Sequence, residues 1–80
     1  MTKAKELQAY RRGEGCLAKS ADDEPLFILC ARDCYAPMTV REWAKRLSGG
    51  NGPDAKVDDA IACAQAMEQW QAEHGSKIPD

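Results

Sequence analysis

The chain has 80 residues, with 13 acidic and 11 basic side chains and a formal net charge of −2. A chain this short forms one domain, residues 1–80, whose own core gives only marginal stability, so we expect a homo-oligomer. The net charge excludes a global basic field that would attract nucleic acid. No apolar run suits a bilayer span or a signal peptide, so we expect a cytoplasmic protein without a membrane partner.

Residues 1–20 form a basic arm, because five cations stand against two acids between positions 3 and 19. Ala4, Leu7 and Tyr10 have the spacing of a short helix, which the glycines beside Glu14 end. Residues 13–22 are predicted to be an irregular loop. The loop amides could bind one anion together with the flanking cations Arg11, Arg12 and Lys19. The simpler interpretation is a solvated charge run that keeps the protein soluble.

The first main helix is predicted over residues 24–35. Three acids, Asp22, Asp23 and Glu24, precede Pro25, and acids followed by a proline are typical of a helix N-terminus. Apolar side chains then recur at helical spacing over so wide a stripe that the helix is predicted to be buried and central. A strand over residues 26–30 is the alternative, since periodicity alone does not distinguish short apolar runs.

Two further helices follow, and together they predict an all-α fold. Pro37 breaks the first helix, a second covers residues 38–48, and glycines after Ser48 end it. A third covers residues 53–74 and stops at Gly75. The buried stripes are predicted to be Val40, Trp43, Ala44 and Leu47 in the second helix and Val57, Ala60, Ile61, Ala64, Met67 and Trp70 in the third. The architecture is a small bundle of three main helices with a short N-terminal helix or arm, and residues 76–80 form a tail.

No catalytic group, cofactor or bound metal is predicted. The cysteines at positions 16, 30, 34 and 63 are expected to be reduced and to pack as small apolar side chains. A zinc-stabilised module is an alternative interpretation, although the sequence contains no C-x-x-C knuckle. His74 is expected to stabilise the end of its helix, and the acids at 22–24 the start of theirs.

Residues 39–47, TVREWAKRL, resemble the first helix of a helix-turn-helix module of the excisionase and regulator type. In such modules the next helix enters the major groove. Here the next helix opens with Asp54, Asp58 and Asp59 against a single Lys56, which opposes contact with phosphates. A DNA-binding regulator is therefore kept as an alternative function, with DNA as a disfavoured partner.

Residues 23–47, DEPLFILCARDCYAPMTVREWAKRL, resemble small accessory proteins encoded by tailed phages and prophages of proteobacteria, and the resemblance extends to residues 12–16 and 77–80. Cys30 and Arg32 stand where the common pattern often has an arginine and a polar residue. The resemblance implies a phage accessory protein in the host cytoplasm. Such a protein would act by binding, either to a host defence protein or to a nucleotide-like signal.

A pocket that sequesters a nucleotide-like anion needs cations for the phosphates and an aromatic side chain for the base. The chain supplies both kinds of group, at positions spread from the basic arm to the second helix. The ligand-binding residues are therefore predicted to be Arg11, Arg12, Lys19, Arg32, Tyr35, Arg41 and Trp43.

Overall fold

The computed structural model describes residues 1–79, and in this range it contains helices but no strand. The helices are α1 (Lys3–Arg11), α2 (Gly15–Lys19), α3 (Ala36–Gly49) and α4 (Asp54–His74). The predicted all-α class is confirmed, as are the short N-terminal helix and the helices predicted over 38–48 and 53–74. Asp80, the last residue of the predicted tail, lies outside the described residues.

The N-terminal helices α1 and α2 form a tight pair. The hydroxyl of Thr2 caps α1 by accepting a hydrogen bond from the amide of Lys5 at 3.2 Å. Gly15 begins α2 with a φ of 84°, and a Cβ atom there would lie 3.5 Å from the Cβ atom of Ala9. The helices can approach this closely because glycine adopts the left-handed conformation without strain. The irregular loop predicted over 13–22 was therefore wrong in part, because residues 15–19 form a helical turn against α1.

Helices α3 and α4 pack as an antiparallel hairpin. Pro37 occupies the first turn of α3, where it costs no hydrogen bond. At the turn, Gly52 lies on Leu47, whose carbonyl oxygen accepts from the Gly52 amide at 2.7 Å. A Cβ atom at position 52 would come within 2.8 Å of that oxygen and within 2.3 Å of the Leu47 side chain. Only glycine therefore fits this connection without displacement of the helix end.

The helix predicted over residues 24–35 is absent, and this prediction was wrong. The acids before Pro25 form a turn, in which Glu24 donates its amide to the carbonyl of Ala21 and accepts from the Ala21 amide through its side chain. The chain then runs from residue 24 to 30 without helix, turn or bend. A helix would pair the Cys34 amide with the carbonyl of Cys30, but that amide donates to Lys77 instead. The alternative of a strand over 26–30 describes the course of the chain better, although no strand pairing forms there in residues 1–79.

The core contains no large side chain. The buried residues of the described chain are Pro37 and four alanines, at positions 36, 44, 60 and 64. The predicted stripes were correct for Ala44, Ala60 and Ala64, whereas Trp43 is 52% exposed and Trp70 is 40% exposed. The predicted central helix contributes no buried residue. Small side chains thus permit close packing of α3 on α4 but bury little apolar area.

The molecule exposes more surface than its mass predicts. Its accessible surface is 6448 Å², whereas a globular monomer of 8.8 kDa exposes about 4,800 Å². The radius of gyration is 13.6 Å, against about 12 Å for a compact domain of this length. Part of the excess arises because α1 and α2 pack only on each other and α3 only on α4. No helix of the first pair contacts a helix of the second.

Candidate functional site

The most unusual surface feature is the apolar segment, defined as residues 25–30, PLFILC. Phe27 is 87% exposed and Ile28 is 72% exposed. The side chains of Ile28, Cys30 and Arg32, which are every second residue of the chain, line a cleft of about 180 Å³. The other residues that line this cleft are Asp33, Lys77 and Pro79. This alternation is that of an extended chain, in which successive side chains point to opposite faces. The segment therefore presents apolar side chains on two faces.

The backbone of the apolar segment is also available for binding. None of the amides of residues 26–30 donates a hydrogen bond within residues 1–79, and none of the carbonyls of residues 26–29 accepts one. A free row of donors and acceptors on an extended chain is a template for pairing with another strand. The segment thus combines exposed apolar side chains with an unpaired backbone edge.

The C-terminal end of the segment is fixed by Gln71 of α4 and by the chain around Lys77. The side-chain amide of Gln71 donates to the carbonyls of Ala31 and Asp33 at 2.8 and 2.9 Å. The Cys34 amide donates to the carbonyl of Lys77, and the Lys77 amide donates to the carbonyl of Arg32, each at 2.9 Å. These bonds form one parallel bridge between Asp33 and Lys77. Residues 31–34 are therefore held by α4 and the tail, and the apolar segment extends from a fixed point.

Gln71 was missed by the sequence analysis, although the sequence carried a signal for it. It follows Ala64 and Met67 at the spacing that continues the buried stripe of α4, where an apolar residue is expected. A polar amide at such a position needs hydrogen-bond partners, because burial without them is costly. The partners themselves could not be predicted, since they are the carbonyls of a segment that was expected to be helical.

Other large apolar side chains continue the exposed surface. Tyr35 is the N-cap of α3, Met38 lies in its first turn, and Ile78 follows Lys77 of the bridge; all three are more than half exposed. The Cys34 amide donates to the Lys77 carbonyl, so the residues that precede Tyr35 and Ile78 are bonded to each other. The tail predicted over 76–80 is therefore partly ordered, through the bridge at Lys77.

The predicted ligand-binding residues are distributed over separate parts of the fold. Arg11, Arg12 and Lys19 lie on the α1–α2 pair, which contacts neither α3 nor α4. Arg32 and Tyr35 flank the bridge, while Arg41 and Trp43 lie on α3. Arg41 lines a groove between α3 and α4, which is separate from the cleft that Arg32 lines. The other residues that line this groove are Ala44, Lys45, Ser48, Val57 and Ile61.

Two of these cations are already paired with carboxylates. Arg12 Nε lies 3.4 Å from Glu14 Oε2, and Arg41 Nη2 donates to Glu68 Oε1. Arg32 forms no ion pair with any residue from 1 to 79. No hydrogen bond or ion pair joins any two of the seven predicted residues within residues 1–79.

The cysteines are dispersed in the same way. Cys16 and Cys30 are exposed, and Cys34 and Cys63 are half-buried, so the prediction of buried thiols was wrong for the first two. Cys30 is exposed because the helix expected to bury it does not form. No group of three or more histidine, cysteine or acidic side chains converges on a metal-sized site in the described chain.

His74 stacks on Trp70 at 4.3 Å between ring centroids, and its Nδ1 lies 3.0 Å from the carbonyl oxygen of Trp70.

No helix formed by residues 1–79 is both long enough and apolar enough to cross a membrane. Comparison with protein-family models, with curated proteins and with solved structures finds no match for this chain.

Proposed function

We propose that this chain is a non-catalytic binding protein that works as a homo-oligomeric assembly, with the apolar segment as its main contact surface. The observation that carries the proposal is the accessible surface of 6448 Å², which exceeds that of a globular monomer of this mass by roughly 1,700 Å². Contiguous exposed apolar surface is typical of protein interfaces. Association would add apolar burial to a core whose buried side chains, within residues 1–79, are four alanines and Pro37.

A protein partner is favoured over a nucleotide-like anion by the placement of the cations. A phosphate pocket needs several cations on one ligand, whereas here the arginines lie on separate helix pairs and two of them bind carboxylates. The apolar segment instead offers side chains and backbone groups suited to another polypeptide. Calorimetric titration of the assembled protein with cyclic nucleotides and ADP-ribose should therefore give no heat of binding. Saturable heat with either would overturn this choice of partner.

The resemblance of residues 23–47 to phage and prophage proteins supports an accessory role in the host. In that role the assembly would occupy a host defence protein and thereby inactivate it. The test is the plating efficiency of a phage on a defended bacterial host that expresses the chain. We expect the wild-type chain to raise the plating efficiency and Phe27→Ser to lose this effect. Equal plating with and without the wild-type chain, across a panel of defence systems, would contradict the role.

Light scattering after size exclusion tests the assembly itself. At tens of micromolar we expect a mass of at least twice 8.8 kDa. The midpoint of thermal unfolding should rise with protein concentration, because association stabilises the folded chain by mass action. Phe27→Ser should weaken the assembly, while Phe27→Leu, which keeps a large apolar side chain, should retain it. A monomer whose unfolding midpoint does not depend on concentration would overturn the proposal.

A further inference from the structure

We propose that the apolar segments of two copies of this chain pair as antiparallel strands about a twofold axis at Ile28. The inference rests on the proposed function, since it names the partner and the contact of the same surface. It assigns the backbone edge of the segment to a second copy of this chain, and the side-chain faces of the paired strands remain for a different protein.

The backbone of the segment carries the first part of the argument. Residues 24–30 run without turn or bend, and the amides of residues 26–30 make no hydrogen bond within residues 1–79. An exposed strand edge satisfies such groups by adding a strand from another chain. The segment also lacks charge between Glu24 and Arg32 and consists mainly of leucine, isoleucine and phenylalanine. Side chains of this kind on neighbouring strands stabilise the pairing.

The charges at the two ends of the segment identify the partner. Glu24 and Arg32 lie at equal distances along the chain from Ile28. In an antiparallel pair with its twofold axis at Ile28, Glu24 of each copy is therefore opposite Arg32 of the other. Arg32 has no ion-pair partner in residues 1–79. Within residues 1–79 the carboxylate of Glu24 accepts one hydrogen bond, through Oε1 from the Ala21 amide at 3.2 Å, and Oε2 accepts none.

The strand pairing ends where the chain turns. Residues 22 and 23 form one turn, and residues 31 and 32 form another. Beyond these turns the same register would oppose Asp23 and Asp33, but Asp33 Oδ1 already accepts from the amide of Tyr35 at 2.8 Å. The apolar pairs thus lie within the straight part of the chain, and the Glu24–Arg32 pair joins its first residue to the turn that follows it.

The exposed area agrees with a contact between two copies. If each chain buries the roughly 1,700 Å² by which its accessible surface exceeds that of a globular monomer, the dimer buries about 3,400 Å² in total, which is typical of obligate homodimers.

The charges of the helices add a second complementarity. The basic α1–α2 pair contacts neither α3 nor α4 of its own chain, while α4 carries five acids and one lysine. A second copy can therefore present its basic pair to this acidic helix.

Charge exchange at the ends of the segment tests the register. Glu24→Arg and Arg32→Glu each replace two attractive pairs per dimer by two repulsive ones, so each should raise the dissociation constant about tenfold. The double variant Glu24→Arg/Arg32→Glu restores both pairs and should return the constant to within about threefold of the wild-type value. Lys45→Glu and Glu42→Arg on the exposed surface of α3 reproduce the charge changes of Arg32→Glu and Glu24→Arg outside both proposed contacts. They serve as the controls, with circular dichroism to confirm that each variant is folded.

Amide hydrogen exchange tests the pairing without any substitution. Every second amide of residues 26–30 faces the partner strand, so it should be protected at concentrations where the dimer forms and should lose that protection on dilution. Two single variants that weaken the dimer, a double variant that restores it, and protected amides would together establish the inference. An assembly that the double variant does not restore, or whose 26–30 amides exchange freely, would overturn the inference but not the proposed function. A monomer at tens of micromolar would overturn both and would leave the segment to a different protein.

Discussion

The side-chain amide of Gln71 donates a hydrogen bond of 2.8 Å to the carbonyl of Ala31, a residue 40 positions earlier in the chain. With a second bond to the carbonyl of Asp33, Gln71 attaches the residues that follow the apolar segment to the last turn of α4. This contact separates the part of residues 24–34 that is fixed from the part that is free to bind.

Gln71→Met should release residues 31–34 from α4. The thioether cannot donate, so the Ala31 carbonyl loses its partner, while the Asp33 carbonyl keeps the bond from the Ala36 amide. We expect a loss of about 1–3 kcal/mol in the free energy of unfolding. The measurement is urea unfolding at fixed protein concentration, with faster amide exchange at Cys34 and Lys77. The control is Gln69→Met, since Gln69 bonds only to Glu73 on the exposed side of the helix. Equal stability of the two variants would contradict the role of Gln71.

Gly52→Ala should destabilise the α3–α4 turn. The new Cβ atom would lie 2.8 Å from the carbonyl oxygen of Leu47, so the backbone must shift. We expect a cost of about 1–3 kcal/mol in thermal or urea unfolding. Gly49→Ala is the matched control, because no atom lies within 4 Å of its added Cβ. It should be neutral or stabilise the helix by up to about 1 kcal/mol.

Ala64→Leu should force α3 and α4 apart. Ala64 is fully buried where the helices meet, so three extra carbon atoms have no space there. We expect destabilisation by about 1–3 kcal/mol or more. Ala66→Leu adds the same atoms on the exposed side of α4 and should change the free energy of unfolding by less than about 0.5 kcal/mol. If Ala64→Leu were as stable as Ala66→Leu, the close helix contact would be refuted.

The ion pair between Arg41 and Glu68 should contribute little to stability. Both side chains are more than 40% exposed, so water and salt screen their attraction. A double-mutant cycle with Arg41→Gln and Glu68→Gln should give a coupling energy below about 1 kcal/mol, which decreases at high salt. A coupling of more than about 2 kcal/mol, unchanged by salt, would show that the pair is desolvated.

The helices α3 and α4 could be predicted from sequence because their signals are local. Pro37 and Pro53 mark the two starts, glycines mark the ends, and alanines recur at helical spacing between them. These signals placed both helices within one or two residues of their observed bounds. Even so, the pattern could not show that Trp43 lies outside the contact, since it shares its spacing with Ala44 and Leu47.

The course of residues 24–35 could not be predicted because its determinants are distant. A run that is apolar at nearly every position satisfies helical spacing and strand alternation equally. The choice is made by Gln71 and by the tail at Lys77, which bind the backbone of residues 31–34. The sequence directed attention to cations, whereas the unusual feature is an apolar run without an intramolecular cover.

The lack of contact between the two helix pairs has a consequence for the motion of the molecule. Within residues 1–79 no helix-to-helix contact joins them; the chain from residue 20 to 35 connects them, and the apolar segment is the middle of that connection. In an isolated chain, α1–α2 and α3–α4 should therefore tumble with different rotational correlation times. Occupation of the segment would lock the connection and merge the two into one rigid body. Binding at six residues would thus set the orientation of the whole N-terminal quarter of the protein.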